Sequence, residues 1–236
     1  GVPTLRINMS MTKNLPDIIV EEEFLTQLQA KQLWEETKDG YANKSVDFID
    51  KWGVFKDQLV ARQSFIKHGN DSFDYYGYSP TLQLVLDKIA DYFGNPVVRE
   101  IVYQTLYLPW DIHCDFTRED QGIPYYNILI PFHDVDSRTI MFDQTSHEYN
   151  DFYMYKQNNP KLENPVDEET WNEHLSMCWP EDRNWLTVKK LMPFQRSGQL
   201  LAFRRHYFHS SDNFHTNGIK EKQFLQILLD ENKNGS

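Results

Sequence analysis

Cysteine is scarce in this chain: 236 residues hold two, Cys114 and Cys178. Two thiols cannot build a disulfide framework, so stability must come from a packed core, and both fit a reducing cytoplasm, the location expected for the chain. Long apolar runs are missing as well. No stretch reaches the length of a membrane span, and no charged-then-apolar leader pattern opens the sequence. Basic residues are outnumbered, 24 Lys and Arg against 35 Asp and Glu, for a net charge of −11. Such a bulk field repels phosphate backbones, so no nucleic-acid partner is expected despite the local pairs Lys189-Lys190 and Arg204-Arg205. There is no internal repeat and no low-complexity tract. No H-E-x-x-H pattern or paired nucleophile points to a zinc hydrolase.

What is present suits one sizeable domain. Apolar residues make up 40% and charged residues 25%, a globular balance, and aromatics reach 14%, which favours a β-rich core and a cleft with flat walls. Residues 1–97 read as a mostly helical support region. Glu21-Glu22-Glu23 would place acids at a helix start, followed by a stripe of Phe24, Leu25, Leu28 and Leu33-Trp34 that ends near Gly40. Ser79-Pro80 opens a second helix in the cap-then-proline manner. Leu82, Val85, Leu86, Ile89 and Phe93 share one of its faces, and Gly94 stops it. The aromatic block from Val46 to Tyr78 has no secure pattern. Residues 98–230 carry the strands: Ile101 to Leu108, Tyr125 to Phe132, Thr139 to Phe142, Gly198 to Phe203, and a last one running to Leu229. An insert at about 144–190 interrupts them. It holds Tyr149, Phe152, Tyr153 and Tyr155 and an acidic helix candidate from Asp167 to Leu175. At that length it fits a lid, a substrate wall or an oligomer contact.

The chemistry concentrates in His113-Cys114-Asp115. Positions i and i+2 of a strand face the same way, so an imidazole nitrogen and a carboxylate oxygen can meet one small cation, while Cys114 points to the opposite face. A second histidine from a distant strand would complete two histidines and a carboxylate on one side of a metal, with the other side open, as a non-heme Fe(II) site requires. His209 follows the strand-like lead-in Gly198-Gln-Leu-Leu-Ala-Phe203 and is preferred over its neighbours His206 and His215. His133 and His147 read as structural.

With both halves in view, the chain resembles the 2-oxoglutarate- and Fe(II)-dependent dioxygenases. Their pattern is H-x-D, a distal histidine after a G-x-L-x-x-F strand, then a base on the next strand. His113 and Asp115, then Gly198, Leu200, Phe203 and His209, fit in that order over about residues 80–230. The resemblance implies an α+β protein with a mainly β core: a double-stranded β-helix (jelly-roll, cupin-like) barrel braced by N-terminal helices, in a single domain spanning 1–236. It implies Fe(II) on His113, Asp115 and His209, and 2-oxoglutarate as co-substrate, with release of succinate and carbon dioxide. Lys222 or Lys220 would hold the far carboxylate of 2-oxoglutarate. Lys222 leads directly into the apolar strand, whereas Lys220 is nearer His209 in sequence, and alternation leaves both open. Tyr107, six residues before His113, would point inward and hydrogen-bond the keto acid; Asn127 is a weaker candidate. The substrate expected is a small molecule or a peptidyl side chain. Asp115 disfavours halogenation, because halogenases of the family lack a carboxylate there. Two other classes remain: a cupin-type metalloenzyme that does not use 2-oxoglutarate, and a non-catalytic binding protein on the same scaffold.

Overall fold

A computed structural model describes residues 14–42, 60–64, 79–115, 123–148 and 150–232, with backbone alone for 37–42 and 60–64. The architecture is mainly β, with antiparallel sheets and few helices. The strands are β1 (Ile18–Glu21), β2 (Val60–Ser64), β3 (Val97–Leu106), β4 (Pro124–Pro131), β5 (Ser137–Thr145), β6 (Val188–Phe194), β7 (Leu200–Arg204), β8 (Tyr207–Ser211) and β9 (Lys222–Asp230). They form a six-stranded sheet in the order β1-β7-β4-β9-β3-β2 and a three-stranded sheet in the order β6-β5-β8. Every pairing is antiparallel. The chain passes from the large sheet to the small one between β4 and β5 and again at Arg205-His206, between β7 and β8.

Strand alternation sorts the side chains into layers. Along β7, Leu200 and Ala202 face an outer core, while Leu201 and Phe203 face an inner one. On β9, Leu225, Ile227 and Leu229 face outward and Phe224 faces inward. The outer core is closed by helices α1 (Gln27–Ala42) and α2 (Pro80–Phe93). The inner core joins the two sheets, with Leu106, Leu129 and Phe224 against Met141, Met192 and Phe194. A third core lies behind the small sheet, where Ile140, Phe142 and Phe208 meet Phe152, Trp171 and Leu186 of the insert. Each fully buried large apolar side chain in these layers contributes roughly 1.5–3 kcal/mol.

Helix α2 follows its sequence signals throughout. The Ser79 hydroxyl accepts from the Leu82 amide at 3.0 Å, Pro80 occupies the first turn, and Gly94 closes the helix at φ 78°. The insert helix Asp167 to Leu175 is also present: α4 (Glu168–His174) is capped by the Asp167 carboxylate. It follows a short α3 (Phe152–Asn158).

The N-terminal region departs from expectation. Glu21 ends a strand, and no helix starts at Glu21-Glu22-Glu23. Ile18 to Glu21 pair with the edge of β7 instead, so backbone hydrogen bonds to a sheet override local helix preference. Helix α1 begins six residues later, where Thr26 and Gln29 cap each other's amides. Phe24 and Leu25 are buried ahead of the helix, and Leu28 is 66% exposed, so the helix face is not the expected stripe. Most of the block Val46 to Tyr78 lies outside the described residues, and the part described is β2, at the edge of the large sheet. No helix among the described residues is long and apolar enough to cross a membrane.

Candidate metal centre

His113 and His209 are direct partners. The His113 amide donates to the His209 carbonyl at 3.0 Å and the His209 amide returns the bond at 2.8 Å. His113 also bridges Asp151, so this segment extends the small sheet beyond β8. The pairing brings the two imidazoles to a centroid separation of 4.3 Å, across 96 positions of sequence. Asp115 completes the group, since it shares the strand face of His113. Its carboxylate lies 3.3 Å from His209 Nε2 and 3.8 Å from His113 Nε2. One ligand atom from each of the three residues falls within 4.8 Å of the others. Cys114 turns the other way, into the core behind the small sheet with Ile112.

Both ring tautomers are set by backbone. His113 Nδ1 sits 2.6 Å from the Asp111 carbonyl and His209 Nδ1 3.2 Å from the Tyr207 carbonyl. A carbonyl can only accept, so each Nδ1 carries the proton and each Nε2 presents its lone pair toward Asp115. Burial pushes the His209 imidazole down to about 4, with His113 beside it acting in the same direction, so His209 is neutral at physiological pH. Burial alone would raise Asp115. His209, His113, the Arg205 guanidinium and the Asn127 hydrogen bond together more than offset this and hold it below the usual carboxylate range. The donor set is therefore two imidazoles with Nε2 turned inward and one ionised carboxylate, a set that suits a divalent metal.

The backbone of Asp115 is held as well. Arg205 is 1% exposed. Its Nε and Nη2 donate to the Asp115 carbonyl at 3.1 and 2.8 Å, and its Nη1 pairs with Asp230 at 2.6 Å. The Asp115 amide donates back to the Arg205 carbonyl at 3.0 Å. Arg205 is therefore an interior clamp. Arg204, its neighbour, stacks on Tyr125 and Tyr126, so the dipeptide is no surface basic patch.

The two lysines separate cleanly. Lys220 is exposed and precedes β9. Lys222 opens β9, is 2% exposed and faces the inner core. Its ammonium donates to Ser211 Oγ at 3.1 Å and lies 4.1 Å from the centre of the Phe194 ring and 5.5 Å from that of Phe214. Burial pushes it down to about 8, only partly countered by Asp212. Ser211 and His209 are i and i+2 on β8, so the hydroxyl that meets the ammonium and the His209 imidazole stand on one face of the strand, their backbone positions roughly 6.6 Å apart.

Tyr107 lies past the end of β3 and is 37% exposed. Its carbonyl accepts from His215, and no contact joins its side chain to the triad among the described residues. His206 stacks on His147 and Tyr207, and His133 bonds Gln223. Sequence reasoning passed over Arg205, Gln104 and Gln226. The one signal available for the two glutamines was a polar residue at an inward position of an otherwise apolar strand.

No family model matches the chain, and no curated protein matches it in sequence. Solved structures do match in fold. The non-heme alpha ketoglutarate dependent carbocyclase SnoK from nogalamycin biosynthesis aligns over 98% of this chain and 87% of its own, at 14% identity and a TM-score of 0.53. The alpha ketoglutarate dependent epimerase SnoN from the same biosynthesis aligns over 91% of this chain and 78% of its own, at 14% identity and a TM-score of 0.56. SnoN in complex with Fe3+, alpha ketoglutarate and nogalamycin RO matches at a TM-score of 0.53, again at 14% identity, over 91% of this chain and 79% of its own. At this identity the likeness is one of fold.

Proposed function

We propose that the chain is an Fe(II)- and 2-oxoglutarate-dependent oxygenase acting on a small molecule or a peptidyl side chain, built on a double-stranded β-helix. The sheet orders support the scaffold, since from β4 onward four of the five strand connections (β4–β5, β6–β7, β7–β8 and β8–β9) pass between two facing sheets. His113, Asp115 and His209 hold the metal. With 2-oxoglutarate bound, Fe(II) would supply its oxidative decarboxylation to succinate and carbon dioxide with dioxygen as the four-electron oxidant, coupled to two-electron oxidation of the second substrate. The chain's own residues do the rest. The Nδ1 N–H groups stay donated to the backbone carbonyls, Asp115 stays ionised, and Phe203, Met141 and Phe194 keep the inner face dry.

One observation carries this reading: Lys222. A fully buried ammonium is costly unless an anion meets it, and no carboxylate among the described residues ion-pairs with it. Its place beside the triad face matches the far carboxylate of a five-carbon keto diacid whose other end chelates the metal. A charge-assisted hydrogen bond from Lys222, flanked by the Ser211 hydroxyl, holds that carboxylate. A metalloenzyme that does not use 2-oxoglutarate has no need of such a cation.

The test is succinate formation by purified protein with Fe(II), ascorbate and 2-oxoglutarate, which proceeds slowly even without the second substrate. Turnover that requires Fe(II) and is lost in His113→Ala is the expected result. Absence of any 2-oxoglutarate binding to the metal-loaded protein would sink the proposal.

A further inference from the structure

The inner face of the large sheet is apolar at Leu106, Leu129, Leu201, Phe203 and Phe224, yet it carries three amide side chains in a row. They are Gln104 on β3, Gln226 on β9 and Asn127 on β4, on strands adjacent in the order β4-β9-β3. All three are at least 90% buried. Burying an amide among leucines and phenylalanines is unfavourable unless its hydrogen bonds are met, so a row of three calls for a reason.

The bonds run in one direction. Gln104 Nε2 donates to Gln226 Oε1, Gln226 Nε2 donates to Asn127 Oδ1 at 3.2 Å, and Asn127 Nδ2 donates to Asp115 Oδ2 at 2.5 Å. Each amide offers its oxygen away from the metal centre and its N–H toward it. The row is a head-to-tail chain of dipoles ending on the carboxylate. In a poorly polarisable interior each link strengthens the next.

We infer that Asn127 is a positioning residue for the metal ligand Asp115, and that Gln226 and Gln104 act through it by fixing which end of its amide faces the carboxylate. The inference rests on the metal-centre reading above. An ionised carboxylate accepts only, so it needs the N–H end of Asn127. With the Asn127 oxygen engaged by Gln226, rotation of the amide by half a turn would set two acceptors against each other at Asp115 and two donors against each other at Gln226. The row thereby holds the Asp115 carboxylate in one orientation before metal arrives. It engages Oδ2, and among the described residues no hydrogen bond engages Oδ1, which faces His113 Nε2 at 3.8 Å.

Gln226 touches neither a ligand nor the metal position, which makes it the place to test. Gln226→Glu keeps size and shape but presents an oxygen to Asn127 Oδ1. That favours the reversed amide and turns an acceptor toward Asp115. Gln226→Leu removes the link without reversing it. Metal affinity should fall in the order wild type, Gln226→Leu, Gln226→Glu, and Asn127→Leu should lose roughly 10- to 100-fold, as partners of metal ligands typically do. The readouts are Fe(II) and Co(II) affinity by anaerobic titration, the visible absorption of the Co(II) proteins, and thermal unfolding of each metal-free variant.

The expected result is weakened metal binding and an altered Co(II) spectrum in Gln226→Glu, in a protein whose metal-free unfolding temperature matches that of Gln226→Leu. Co(II) affinity and spectrum unchanged in Gln226→Glu, while wild type binds and His113→Ala does not, would overturn the inference and leave the metal centre standing. Failure of the wild type to bind either metal would overturn both.

Discussion

Replacing Lys222 by methionine should make the metal-free protein more stable and less functional at once. Burial pushes the ammonium from its ordinary 10.5 down to about 8. That difference costs the folded state on the order of 3 kcal/mol at neutral pH compared with an uncharged occupant. Methionine fills similar volume against Phe194 and Phe214 without a charge. It also forfeits the bond to Ser211 Oγ, worth about 1 kcal/mol. The net expectation is a gain of about 1–2 kcal/mol at pH 7, a rise of roughly 2–8 °C in unfolding temperature for a chain of this size. The sign with pH follows from proton counting. Between about pH 8 and 10.5 the unfolded chain binds the lysine proton and the folded one does not, so wild-type stability rises with pH over that window. The advantage of Lys222→Met should shrink across it and vanish above 10.5. Affinity for 2-oxoglutarate in the presence of metal should meanwhile fall roughly 10- to 100-fold with the loss of a charge-assisted hydrogen bond. Urea unfolding at pH 7 and pH 10, and calorimetric titration with 2-oxoglutarate, measure the two halves. A variant less stable than wild type at pH 7, or one that binds 2-oxoglutarate as well as wild type, refutes the reasoning.

The remaining expectations can be checked alongside. Wild-type affinity for 2-oxoglutarate should weaken as pH rises above about 8, by up to tenfold for each further pH unit, because the free protein must then take up a proton on Lys222 to bind; the profile of Lys222→Met should be flat. Asp115→Ala should lose about 100-fold or more in Fe(II) affinity, since a metal ligand costs at least as much as the groups that orient it, and the loss is read by titration on a protein that still unfolds cooperatively. Arg205→Met should destabilise by about 3 kcal/mol in urea, because it strips two donors from the Asp115 carbonyl and a partner from buried Asp230. Gly198→Ala should lose more than about 1 kcal/mol, since φ is 78° and the added carbon would sit 2.8 Å from the Leu25 carbonyl oxygen.

Some of this molecule could be read from the chain alone, because the interactions responsible are local or periodic. Ser79, Pro80 and Gly94 mark the ends of α2 through bonds spanning a few residues, and its apolar spacing names its buried face. The i, i+2 relation puts His113 and Asp115 on one face and Cys114 on the other, whatever the rest of the fold does. Other features depend on partners far away in sequence. Lys220 and Lys222 look alike to strand alternation; β9 begins only at Lys222, so one lysine is buried against Phe194 and the other stays in solvent. Ile18 to Glu21 form a strand because the edge of β7 was available, which overrides the acidic helix signal. Arg205 resembles half of a surface pair until the crossing between sheets turns it inward onto Asp115 and Asp230. The pairing of the amide row has no local signal beyond a polar residue at an inward strand position, since its three members lie 23 and 99 positions apart along the chain and become neighbours only when β3, β9 and β4 pair. Periodicity and capping are properties of a few consecutive residues and belong to the sequence. Which buried polar groups meet one another is a property of strand order, and only the tertiary structure decides it.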